Sequence, residues 1–173
     1  MDLDLKLVSK EINEIMWREC KTLATAESCT AGRIASVITA VPGSSNYYKG
    51  GLVCYADEVK ENLLGVDPKV IEEQTPVCEE VVRQMVIGAN KLFNTDYAVA
   101  ISGYACPGGP DGGKAGVIVG TIWIAVGNAD HIETRMIEED NGRDKNLASA
   151  TNAAMHMLLD YIKGEEKPED AAE

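Results

Sequence analysis

Aromatic residues are scarce in this 173-residue chain, with one Phe, two Trp and six Tyr. Its core must therefore be built from Val, Ile, Leu, Ala and Met, side chains that suit helices packed around a sheet. Histidine is scarcer still: His131 and His156 stand far apart. The five cysteines (Cys20, Cys29, Cys54, Cys78 and Cys106) are an odd number without CxxC spacing. That excludes a zinc framework and a disulfide scaffold, and no metal or cofactor is expected. No apolar run reaches the ~20 residues that span a bilayer, and Met1-Asp2-Leu3-Asp4-Leu5-Lys6 is too acidic for a leader, so a cytoplasmic chain with no membrane partner is expected. Cations are outnumbered 16 to 28, a formal charge of −12. Such a chain repels polyanions, which excludes a broad nucleic-acid surface and leaves room for one phosphate at a local basic spot.

What is present reads as a single domain over residues 1–164, followed by an acidic, solvated tail over 165–173. Apolar residues at helical spacing predict helices over 5–20, 29–40, 68–73, 79–93 and 142–162. Asp57 is placed to cap a further short helix through Leu64, with Gly65 just past its end. Strands are expected at 23–26, 52–55 and 97–102, the last apolar nearly throughout and hence central. Val117–Val126 and His131–Ile137 form an expected antiparallel hairpin. The fold class is α/β, one mixed sheet flanked by helices.

Three segments could carry chemistry. Thr25-Ala26-Glu27-Ser28-Cys29-Thr30-Ala31-Gly32 puts hydroxyls at a strand-to-helix turn, where unpaired amides and the helix dipole favour an anion. The plainer reading makes Ser28 an N-cap and Cys29 a small core residue. Val41-Pro42-Gly43-Ser44-Ser45 is a turn with two more hydroxyls. In Tyr55-Ala56-Asp57-Glu58-Val59-Lys60, a helix capped by Asp57 sets Lys60 in its first turn, where the dipole disfavours a cation. A surface lysine tolerates that, and a lysine acting as a neutral base gains from it, since dipole and burial both favour the uncharged amine. The glycine-rich stretch after Ser102 lets backbone amides approach an anion, though it is neither a P-loop nor GxGxxG.

In this order the segments resemble the C-terminal domain of the competence/damage-inducible protein CinA, including its stand-alone nicotinamide-nucleotide amidases. The resemblance rests on Thr25 to Thr30, Val41 to Ser45, Gly51 to Tyr55 running to Lys60-Glu61-Asn62-Leu63-Leu64-Gly65-Val66, Ala100-Ile101-Ser102-Gly103 with Pro107-Gly108-Gly109, Val119 to Ala125, and Gly142-Arg143-Asp144. It covers residues 8–162. It implies hydrolysis of nicotinamide mononucleotide to nicotinate mononucleotide and ammonia by Ser28, with Lys60 as base and Tyr55 in support. It also implies substrate contacts from Glu27, Thr30 and Gly32, from Gly43, Ser44 and Ser45, from Ser102, Gly103, Gly108 and Gly109, and from the cation Arg143. The residues leave Ser44, Ser45 and Cys29 open as rival nucleophiles. The chain departs from the family pattern at Ala31 (usually Gly), at Tyr104 and Cys106 (usually Ile and Gly), and at Lys114-Ala115, where a Lys-Pro is usual. A small-molecule nucleotide is the expected partner, and a homo-oligomer is compatible with the sequence. The competing functions are a catalytically idle nucleotide-binding module and an interaction domain tied to DNA uptake or repair.

Overall fold

The computed structural model describes residues 3–108 and 117–165. In chain order it has α1 (Leu3–Arg18), β1 (Leu23–Glu27), α2 (Arg33–Thr39), a 3-10 turn (Ser44–Asn46), β2 (Tyr48–Val53), α3 (Asp57–Leu64) and α4 (Pro68–Gln74). Then follow α5 (Glu79–Phe93), β3 (Tyr97–Gly103), β4 (Thr121–Gly127), β5 (Ile132–Glu138) and α6 (Arg143–Glu165). The sheet runs β2-β1-β3-β4-β5. β1 is parallel to both β2 and β3, whereas β4 is antiparallel to both of its neighbours, β3 and β5.

β3 is central, as its apolar run requires. Its side chains sort by size: Tyr97, Val99 and Ile101 face a core with α1, α2 and α6, while Ala98 and Ala100 face α3 and α5. Small residues on the second face let α5 lie close to the sheet. Gly88 serves the same end on α5, because a Cβ there would overlap the Leu64 carbonyl of α3. The chain leaves β1 toward β2 with α2 on one face, then crosses to β3 with α5 on the other. The connection therefore reverses at β1 and β3, and a crevice opens beyond their carboxyl ends.

Several boundaries differ from the sequence reading, among them β4, which begins at Thr121 rather than Val117, and α1, which is Leu3–Arg18 rather than 5–20. α2 begins at Arg33 rather than Cys29, because Ala31 (φ 49°) and Gly32 (φ 93°) are left-handed and turn the chain first. β2 is Tyr48–Val53 rather than 52–55, set by its register on β1. Asp57 is the first residue of α3 and not its cap, which is Ala56 with no side-chain bond. Gly65 does close α3, at φ 69°. Gly109 and the tail from residue 166 lie outside the described residues.

Candidate active site

A cavity of about 460 Å³ opens at the crevice beyond β1 and β3. That size falls within the range of small-molecule sites. Ser28 enters it from the end of β1, Ser102 and Gly103 from the end of β3, Tyr55, Asp57 and Lys60 from around the start of α3, and Arg143 from the first residue of α6. Pro76 and Val77 form a wall that the sequence reading missed.

The sheet itself places Ser28. Its amide donates to Ile101 O at 3.0 Å, extending the β1–β3 pairing by one residue. Its side chain is nearly buried, and among the described residues its hydroxyl has no hydrogen-bond partner. It is not an N-cap. The first amides of α2 belong to Glu27, whose carboxylate accepts Thr30 Oγ1 (2.6 Å), Gly32 N (3.0 Å), Ile34 N (3.1 Å) and Ala35 N (2.8 Å). The anion site expected at this helix start is therefore filled by the chain's own carboxylate. Glu27, Thr30 and Gly32 sit behind the cavity wall rather than on it.

Lys60 is 1% exposed and lines the cavity. Its Nζ donates to Asp57 Oδ1 at 2.9 Å and to the Tyr55 carbonyl at 3.5 Å. No hydrogen bond joins it to Ser28 among the described residues, although both face the same space. Tyr55 thus meets Lys60 through its backbone, while its largely exposed phenol lies beside Arg143. Arg143 also donates to Cys106 Sγ at 3.2 Å, and the two neighbours hold its guanidinium further in the charged form.

Cys29 lines the cavity too, but burial pushes its thiol up to about 12, which makes it a poor thiolate. Ser102 Oγ donates to Pro76 O at 2.8 Å, so this hydroxyl anchors the α4–α5 connection. Gly103 has its own packing reason, since a Cβ would press into Ile122. Gly108 stands on the rim at φ 102° with open space around it. Gly43, Ser44 and Ser45 are not brought to the cavity. They precede β2, whose first residue pairs with Leu23, so they lie at the amino end of β1, a strand's length from Ser28. Asn146 is a residue the sequence reading missed: buried in α6, it donates to Ala105 O (3.0 Å) and Asp140 (3.1 Å) and ties the exit of β3 to the helix that carries Arg143. A polar residue on a mostly apolar helix face was the available signal.

An α/β fold with a cavity outside the carboxyl ends of parallel strands defines a small-molecule site of the open-sheet class. The CinA C-terminal domain model matches residues 5–162, and the chain belongs to that family. It is 41% identical over 128 residues to the nicotinamide-nucleotide amidohydrolase PncC of Escherichia coli K12, an alignment covering 74% of this chain and 76% of that protein. It is 37% identical over 151 residues to a CinA-like protein of Flavobacterium psychrophilum, covering 87% of this chain and 35% of the relative. The chain thus spans about a third of the length of such CinA-like relatives. The crystal structure of the competence/damage inducible protein CihA from Agrobacterium tumefaciens superposes with a TM-score of 0.86 at 28% identity, covering 94% of this chain and 99% of that one. Among the described residues no helix is long and apolar enough to cross a membrane, and no cluster of His, Cys, Asp or Glu is arranged to hold a metal ion.

Proposed function

We propose that this chain hydrolyses the carboxamide of nicotinamide mononucleotide to nicotinate mononucleotide and ammonia. The observation that carries the reading is the Ser28 hydroxyl, which has no hydrogen-bond partner among the described residues and shares a substrate-sized cavity with the buried Lys60. The likeness to an enzyme named nicotinamide-nucleotide amidohydrolase supports it.

In this reading Ser28 Oγ attacks the amide carbon while its proton passes to the neutral amine of Lys60. The C–N bond breaks with return of that proton to the departing nitrogen, and ammonia leaves. Water then cleaves the acyl-serine and frees the carboxylate. The Lys60–Asp57 pair opposes the first step, so the amine must leave the carboxylate when substrate enters. Asp57 is 40% exposed on its side chain and gives the displaced proton a route to solvent. Arg143, whose exposed guanidinium meets Cys106 and Tyr55 at the rim, would turn from them to take the phosphate.

The same ion pair favours a second reading, in which Lys60 stays an ammonium and the domain binds the nucleotide without turning it over. Incubation with nicotinamide mononucleotide and an ammonia assay separates the two. Release of ammonia from the nucleotide, with free nicotinamide hydrolysed far more slowly, supports the amidohydrolase. Tight nucleotide binding without ammonia identifies the idle module.

A further inference from the structure

We propose that Glu27 is the positioning residue for Ser28, acting on the reaction by fixing the turn that carries the nucleophile and not by touching substrate. The inference rests on the amidohydrolase reading. Glu27 is 1% exposed, and among the described residues no Lys, Arg or His pairs with it. Its charge is met instead by four donors. Oε2 takes Thr30 Oγ1, Gly32 N and Ile34 N, and Oε1 takes Ala35 N. Three of these are amides at the positive end of α2, which otherwise lack intrahelical acceptors.

The turn so closed is one the chain would not hold by local preference. Ala31 and Gly32 are consecutive left-handed residues, and an alanine adopts that conformation only when its surroundings impose it. Ser28 stands at the joint between two supports. On one side the sheet holds it, through Ser28 N to Ile101 O (3.0 Å) and Cys54 N to Glu27 O (2.9 Å). On the other side its carbonyl accepts Ala31 N (3.1 Å), and the turn that carries Ala31 hangs on the Glu27 carboxylate through Thr30 Oγ1 and the amides of Gly32, Ile34 and Ala35. Loosening that second support frees Ser28 to move in the cavity without changing any group the substrate meets.

Glu27→Gln tests this. The amide keeps the size of the side chain but has one acceptor oxygen, so at least one of the four donors faces another donor. Wild-type protein is first assayed with nicotinamide mononucleotide; no ammonia there overturns the amidohydrolase reading and this proposal together. With an active wild type, Glu27→Gln is expected to lower kcat about 10- to 100-fold with KM within about threefold. Adding Ala31→Gly is expected to recover several-fold of that loss, because glycine takes the left-handed turn unaided. A KM increase with kcat retained would make Glu27 a substrate contact and overturn the proposal, as would unchanged kcat and KM. If Glu27→Gln does not fold, Thr30→Val, which removes only one of the four bonds, decides instead. A kcat loss of about two- to tenfold at constant KM supports the proposal, and unchanged kcat or a raised KM overturns it.

Discussion

Lys60 and Asp57, three residues apart on α3, form an ion pair of 2.9 Å in which the lysine is buried and the aspartate is partly open to water. The pair spans the wall of the cavity, so the amine faces both its counter-charge and the space where a substrate would lie.

Lys60→Arg keeps the charge and can keep the partner, but a guanidinium does not deprotonate. It is therefore expected to be as inactive as Lys60→Ala, with rate losses of about 10²–10⁴ in ammonia release. Near wild-type turnover in the arginine variant would sink the base assignment. Asp57→Ala leaves the buried ammonium without its carboxylate and should lower stability by about 1–3 kcal/mol in urea unfolding, below the usual cost of breaking a buried pair because Asp57 is partly solvated.

Ser28→Ala is expected to abolish ammonia release while changing stability by no more than about 0.5 kcal/mol. No cap is lost, because Glu27 and not Ser28 satisfies the first amides of α2. Substantial residual activity would move the nucleophile elsewhere.

Alkaline pH should destabilise the fold. Burial raises the thiols of Cys29 and Cys54 from 9.0 to about 12 and about 11, and raises the phenols of Tyr47 and Tyr161 as well. A group whose folded value lies above its unfolded one keeps its proton longer in the native state. Its contribution is whole below the unfolded value and is lost as pH rises toward the folded one. The urea midpoint is expected to hold to about pH 9 and then to fall, with a shallower fall in a Cys29→Ala/Cys54→Ala variant. A midpoint that stays level well above pH 10 would contradict this. Cys29→Ala should also keep its amidase activity.

Gly88→Ala should cost about 2–3 kcal/mol in thermal or urea unfolding, since its Cβ meets the Leu64 carbonyl and α3 must back away from α5. Because α3 carries Lys60, ammonia release should fall with it. Gly164→Ala, whose Cβ meets open space in α6, is the contrasting change and should be neutral or slightly stabilising. Equal melting curves for the two variants would refute the close approach.

Elements whose signal is local were legible in the sequence. The ends of α5, the apolar run of β3, the hairpin of β4 and β5 and the closing role of Gly65 all follow from periodicity and turn chemistry over a few residues. Ser28, Lys60, Tyr55, Ser102 and Arg143 were singled out as a set by the family resemblance, and the fold does gather them around one cavity. The tertiary structure decided which partner each polar group meets. Gly43 to Ser45 read like a site segment, yet the register of β2 on β1 carries them to the far end of the strand. The resemblance put Tyr55 in support of Lys60, yet the approach to α3 presents its carbonyl there and its phenol to Arg143. The start of α2 could not be read from propensity, because a carboxylate at Glu27 gathers amides as far along as Ala35. Short-range preferences are set by a residue and its neighbours along the chain, and those the sequence determined. Pairings of buried polar groups depend on register and helix approach, where a hydrogen bond in a low dielectric outweighs local preference, and those only the folded structure decided.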